Sequence, residues 1–415
     1  MSTARRGLRY GLTANVVLLS IVSLLTDVSS EMIFPILPLF LTQVLLANAL
    51  VVGLVEGLAD GVAAFMKVLS GRWSDRSGRR KVFVAAGYGL STGMKVLFPF
   101  ARSWPEFLGT RAFERAGKGI RDAPRDALLA DSVPQDSRGK AFGFHRSMDT
   151  TGAVLGPLIT LYLLSPAVSL PLLVWIPPGD IYRPILLLAA IPAAIAVALT
   201  FLVKEFPRRP TPKVSLRLSF RGAPPVLLSF IAVASLFSFA EFSVAFLILL
   251  VGVAGEGATT AILLYVLFNV VYAAAAFPAG ILSDRVGRKP VIVVGYTAFA
   301  GMATLLAFHV DLATLAIGFI LLGLSFGMAE GTQRALVADL APPEFRGTIL
   351  GAFHTSVGLV KIASGIVAGL LWVTLTYRAM LVFALAVAMV AAIALAIWHP
   401  PVRFGRSGPG AAPRP

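Results

Sequence analysis

Asp27 and Glu31 stand four residues apart in a segment, 14–43, that carries no other charge. On a helix that spacing puts both carboxyls on one face, with Ser23 and Ser30 beside the same stripe. A charge is expensive in such surroundings, and taking up and releasing a proton is the chemistry these acids offer. Glu241 occupies the place of Glu31 in a second apolar segment, 223–252, after a one-residue shift, and Glu56 with Asp60 repeats the spacing of four. The segment 106–130 differs, because Arg111, Arg115, Lys118, Asp122 and Arg125 follow at steps of 4, 3, 4 and 3 and form a polar stripe flanked by Glu114, Arg121 and Asp126. So many cations on one stripe ask for anions. Either Asp27, Glu31, Glu56, Asp60 and Asp149 neutralise them inside the protein, or some stay available to an anionic substrate, with Arg115 and Lys118 foremost. Gly117-Lys118 is not a phosphate-binding P-loop, since Gly119 stands where Ser or Thr is needed. His145, Arg146 and Asp149 cluster further on. The remainder of the chain offers Glu330, Arg334, His354 and Lys361, with Phe237, Phe239, Tyr265, Asn269 and Tyr272 as an aromatic set. The expectation is a first half that handles protons and charge and a second that supplies an apolar and aromatic wall.

These side chains need elements to carry them. Of 415 residues, 57% are hydrophobic and 14% charged, with a mean hydropathy of +0.82. That is the composition of a polytopic membrane protein in the lipid bilayer. The net charge of +15 does not mark a nucleic-acid binder, because no solvated domain is left to carry a basic face. With no cysteine and four scattered histidines, disulfides, iron–sulfur clusters and a zinc centre are not expected, and no cofactor or resident metal is implied. Twelve segments reach the length of about 20 mostly apolar residues that a bilayer demands. They are 14–43, 48–70, 82–101, 106–130, 139–164 and 184–203, then 223–252, 257–279, 290–308, 311–337, 347–373 and 376–398. The fourth qualifies only by the internal repeat described next. Most of the 36 Lys and Arg residues fall in the termini and the loops on one side of this topology, whereas Arg102, Arg183 and Arg378 mark the other. By the excess of positive charge on the inner side, both termini are expected in the cytoplasm. The expected organisation is a six-helix bundle over 1–203, a cytoplasmic linker over 204–222, a second bundle over 223–399 and a disordered tail over 400–415.

The chain resembles itself. GRWSDRSGRRK from Gly71 meets GILSDRVGRKP from Gly280, and RDALLADSVPQDSRGKAFGF from Arg125 meets QRALVADLAPPEFRGTILGA from Gln333. Duplicated six-helix halves follow, and the charged fourth segment takes the same place as the apolar tenth.

At these residues the sequence resembles the major facilitator superfamily, whose signature G-x-x-x-D-R-x-G-R-R/K stands between the second and third helices and again between the eighth and ninth. The resemblance covers essentially the whole chain. It is seconded by Arg115-Ala-Gly-Lys118-Gly119 in the fourth helix, with Lys118 where Gln is common, and by Gly152-x-x-x-Gly156-Pro157, which is similar to the antiporter motif of the fifth. The run GKGIRDAPRDAL resembles a bacterial and archaeal branch that includes drug-efflux-like members. What this implies is an all-α fold of twelve transmembrane helices in two pseudo-symmetric bundles around a central cavity, working by alternating access rather than as an enzyme. It also implies a cytoplasmic gate in which Asp75 and Asp284, with Arg76, Arg79, Arg80, Arg285 and Arg288, latch the outward-facing state. Gly71, Gly78, Gly280 and Gly287 permit its tight backbone. The repeated pairs Asp131/Arg138 and Asp339/Arg346 are assigned to the same gate.

The expected function is proton-coupled efflux of a small organic solute across a prokaryotic cytoplasmic membrane by a monomer, with Asp27, Glu31 and Glu241 as proton-linked acids. Glu56, Asp60, Arg115, Lys118, Asp122, Arg146, Asp149, Glu330 and Lys361 are assigned to the central cavity. The alternatives are uptake or exchange of an organic anion or phosphate ester, metal-ion export, and a transport-dead sensor or scaffold.

Overall fold

The computed structural model describes residues 13–134, 137–165, 180–205, 224–342 and 346–399. Among these described residues twelve helices follow one another without a strand. The first half comprises α1 (Ala14–Val44), α2 (Ala49–Ser77), α3 (Arg80–Phe100), α4 (Trp104–Asp131), α5 (Arg138–Leu163) and α6 (Tyr182–Thr200). The second comprises α7 (Pro225–Val253), α8 (Ala258–Val286), α9 (Arg288–Phe308), α10 (Leu312–Leu340), α11 (Arg346–Thr374) and α12 (Tyr377–Ile397). Ten are long and apolar enough to cross a membrane. The other two, α4 and α5, have spanning length at 28 and 26 residues but too much charge. The expected linker lies outside the described residues from 206 onward, as does the tail from 400.

Several helices outrun their expected ends. α2 continues to Ser77 rather than 70, and α8 to Val286 rather than 279. Hydropathy registers only the part of a helix that sits in hydrocarbon, while the last turns carry Asp75 and Arg76, or Asp284 and Arg285, in helical register. Most of each signature is therefore helix rather than loop. What turns the chain is a single glycine in each repeat, Gly78 at φ 68° and Gly287 at φ 95°, a conformation a side chain would strain.

The first helix of each half is interrupted. In α1, Pro35 and Pro38 withhold two backbone donors, and the chain tightens into a 3-10 turn over Phe34–Ile36 and then loosens into a π turn over Phe40–Val44. In α7 the helix stops at Ala240, Glu241 turns out at ψ 86°, and Ser243 caps the second piece by accepting from the Ala245 N–H at 3.2 Å. Such breaks need protein around them. They have it: Pro35 to Leu41 and Val244 to Ile248 are all buried.

The halves meet along two seams. α2 lies against α11 with Gly53 and Gly365 backbone to backbone, and a Cβ at Gly57 would stand 3.0 Å from the Lys361 carbonyl oxygen. Across the molecule α5 faces α8. At the end away from the signatures, the second piece of α7 packs on the broken end of α1, and Phe40, Phe98, Phe107 and Phe246 of the main apolar core close that end. At the signature end clefts remain between the halves.

Candidate functional site

Two clefts of about 350 and about 250 Å³ adjoin at Glu330 and Arg334. Arg146, Tyr272, Ser283 and Arg288 line the first, and Asp60, Glu241, Phe326, His354 and Lys361 the second, so each has walls from both halves. Their floor is polar contact across the halves. The Tyr265 hydroxyl of α8 donates to the Glu31 carboxylate of α1 at 2.6 Å, and Phe34 stacks on the Tyr265 ring at 5.2 Å. Two turns along α8, Tyr272 accepts from the Arg146 guanidinium of α5 at 3.0 Å and donates to Glu330 of α10 at 2.7 Å. Glu330 also pairs with Arg334. Phe268 lies between the tyrosines and stacks with both, so Tyr265 and Tyr272 of the aromatic set meet the first half, whereas Phe237 stacks on Tyr296 and Phe239 packs on Phe383 within the second half.

The α4 stripe is largely spent inside the first half. Arg111 donates to Glu56 at 3.2 Å and to Glu114 at 3.1 Å, Ser91 donates to Glu114 at 3.0 Å, and Arg115 reaches the same carboxylate at 3.5 Å. Arg125 holds Asp126 at 2.9 Å, lies 3.8 Å from Asp122 and donates to Ser23 at 3.2 Å. Arg115 is only 8% exposed, so its guanidinium serves the internal network. Lys118 differs: it is half-buried, and among the described residues no carboxylate comes within 4 Å of it. Close packing makes the network possible, because Gly117 lies on α3 at Gly87 and Ser91 while Gly119 lies on α2 at Ala63. Sequence reasoning passed over Lys95, the lone charge of 82–100. It is 1% exposed and donates to both Ser29 and Ser30 of α1 at 2.9 Å.

Glu241 sits at the break of α7 with Lys361 at 3.5 Å, so the pair occupies the second cleft. Asp60 is exposed on the wall of that cleft. Asp27 and Asp149 are half-buried in the first half, beside the α1–α5 seam. In that seam a Cβ at Gly152 would stand 2.9 Å from Asp27 Cβ, and one at Gly156 2.7 Å from Glu31 Cβ. The two glycines let α5 approach the acids of α1 closely, and Pro157, also buried, follows within the same helix.

At the signatures, Arg80 pairs with Asp75 at 3.0 Å and with Asp131, and Arg288 pairs with Asp284 and with Asp339 at 3.2 Å. The two constellations repeat one another, and these pairs run within a half rather than between halves. Arg76, Arg79 and Arg285 are exposed, Gly71 faces Ala123 of α4, and Gly280 lines the first cleft. The Arg138 and Arg346 side chains lie outside what is described.

Comparison with known proteins converges on one family. The model of the Major Facilitator Superfamily matches residues 19–269 and 231–414. An uncharacterized MFS-type transporter of Methanocaldococcus jannaschii is 36% identical over 368 residues, 87% of this chain and 89% of that one. A protein of Cupriavidus pinatubonensis named "Probable 4-methylmuconolactone transporter" is 28% identical over 327 residues, 74% of this chain and 73% of its own. The nucleoside transporter NupG superposes with a TM-score of 0.79 at 14% identity, covering 93% of this chain and 100% of its own.

Proposed function

The chain belongs to the major facilitator superfamily, and on that premise we propose that it is a proton-coupled secondary transporter that exports a small organic solute by alternating access, as a monomer, across a prokaryotic cytoplasmic membrane. The observation that carries the reading is the bond from Tyr265 to Glu31. It is a charge-assisted bond between the halves at the floor of the cavity, so it must break when one bundle rocks against the other. Loading Glu31 with a proton removes the charge that strengthens the bond, which ties bundle movement to proton occupancy. Asp27, one turn away, and Glu241, at the equivalent break of the second half, are the further proton-linked acids of this reading. The signature end, with its excess of Lys and Arg, is taken as cytoplasmic. A solute entering there meets Phe237, Phe326 and Phe353 with Asp60, Glu241 and Glu330. That wall suits an apolar body bearing a cationic or polar group.

A second reading, uptake or exchange of an organic anion, draws on Lys118, which has no ion-pair partner among the described residues, and on Arg146 beside the first cleft. Metal-ion export gains nothing, since no three His, Asp or Glu among the described residues converge on one point.

Inverted membrane vesicles containing the protein and the pH-sensitive dye ACMA separate these readings. Ethidium or tetraphenylphosphonium should dissipate a respiratory pH gradient with the wild type and not with Glu31→Gln. A response to aromatic carboxylates alone moves the assignment to the anion reading, and a Glu31→Gln response equal to wild type removes Glu31 from coupling.

A further inference from the structure

His145 is 4% exposed, and among the described residues neither of its ring nitrogens has a hydrogen-bond partner. One turn further along α5, the Asp149 Oδ1 is likewise buried without a hydrogen-bond partner among the described residues, and the facing atoms, His145 Nε2 and Asp149 Oδ2, are 3.9 Å apart. Buried polar atoms are seldom left so, and two neighbours in that condition ask for a common reason.

The seam supplies one. α1 and α5 both run away from the signature end, and Gly152 and Gly156 press α5 onto Asp27 and Glu31. Along this single seam, from the signature end inward, stand His145, Asp149, Asp27 and Glu31, each about one helical turn from the next. On the signature side of His145, Val16, Leu19, Leu128, Leu129 and Ala141 form a buried apolar cluster, so the polar approach to the ring is along α4, where the Asp126 side chain is 39% exposed. The charges facing His145 are Asp149 on its own helix and Asp122, Arg125 and Asp126 on α4, with Asp27 of α1 next to Asp149.

We propose that His145 and Asp149 form a proton relay that carries protons between the signature end and the Asp27–Glu31 pair. The inference rests on the proton-coupled reading and adds the path to it. A proton taken up at one ring nitrogen leaves from the other. As the N–H bond at Nε2 breaks, an O–H bond forms on Asp149, and the imidazole returns to its neutral form with the opposite tautomer. The gap of 3.9 Å is closed by one bridging water or by a side-chain shift of about 1 Å. Asp149 then hands its proton to Asp27, and Glu31, bonded to Tyr265, ends the row.

The test needs no transported solute. Protons are released by a flash from caged 2-nitrobenzaldehyde into the purified full-length protein, and the C=O stretch of protonated carboxyls is followed by time-resolved infrared spectroscopy. Loss of a band in Asp27→Asn or Glu31→Gln assigns it. In His145→Gln the assigned bands should rise about tenfold more slowly, or slower still, to an unchanged final amplitude. In His145→Ala, added imidazole should restore the rate, and Asp149→Asn should slow it as His145→Gln does. Unaltered rates in the His145 variants overturn the relay while leaving proton coupling intact. Slowing that changes the amplitude and resists imidazole marks a structural effect and also counts against it. If no band depends on Asp27 or Glu31, the proton-coupled reading itself fails.

Discussion

Arg111, Arg115 and Ser91 all turn donors or positive charge toward the one carboxylate of Glu114, which is 1% exposed. Breaking such a cluster leaves an unmatched buried charge, typically at a cost of about 3–5 kcal/mol. Glu114→Gln should therefore lower the thermal unfolding temperature clearly, and a midpoint within error of wild type would contradict a structural role. Tyr265→Phe keeps the ring against Phe34 and removes only the hydroxyl. It should weaken this state by about 1.5–3 kcal/mol, the usual worth of a bond to a charged group. The proportion of molecules closed at the far end, measured by single-molecule fluorescence, checks it. How far the sequence foretold these residues depends on where their partners lie. Asp27 and Glu31 could be read from one helix, because a lone pair of acids in an apolar segment announces itself. The partners of the α4 stripe could not, since Glu56 of α2 meets Arg111 and Ser91 of α3 meets Glu114, and a stripe on one helix does not say which faces are covered.

At the scale of helices, number, order and duplication were legible, because a bilayer imposes one length and one composition on every span. Ends and breaks were less so: hydropathy is silent where a helix leaves hydrocarbon, and the π turn after Pro38 depends on the packing of α7 over it. Small residues set helix contacts in ways that substitution can test. Gly152→Leu should push α5 off Asp27, collapsing proton-linked transport in the ACMA assay more than thermal stability. Near-normal coupling would show the seam to be tolerant. α10 begins with a reciprocal cap, in which Asp311 accepts from the Thr314 N–H at 2.7 Å and the Thr314 hydroxyl accepts from the Asp311 N–H at 2.9 Å. The bonds that the Thr314 N–H and the Thr314 hydroxyl donate to the carboxylate, at 2.7 and 2.8 Å, hold the Asp311 carboxyl below its ordinary value of 3.8. A depressed folded-state value stabilises above the ordinary one and ceases to do so as pH falls through the folded one. Asp311→Ala should thus speed amide exchange in the first turn of α10 at neutral pH, with the difference vanishing in strong acid.

For the whole molecule, the question is what balances the two ends. The chain has no native cysteine, so spin labels at Trp73→Cys and Ile281→Cys, both exposed near the signatures, report separation of the halves directly. If the signature carboxylates hold the halves together when that end is shut, Asp75→Asn should shift the distribution toward longer distances. An unchanged distribution would speak against the latch. The ends are made of different materials. One is sealed by buried side chains such as Phe40, Phe246 and Leu247, and the other is studded with Asp75, Arg80, Asp284 and Arg288. Dissolved salt screens exposed charge, whereas strongly hydrated anions such as sulfate reinforce apolar closure. Both effects push the same way, so concentrated ammonium sulfate should trap the molecule open toward the signatures. Its opposite form belongs to dilute buffer, and crystallisation conditions thereby select which half of the transport cycle is seen.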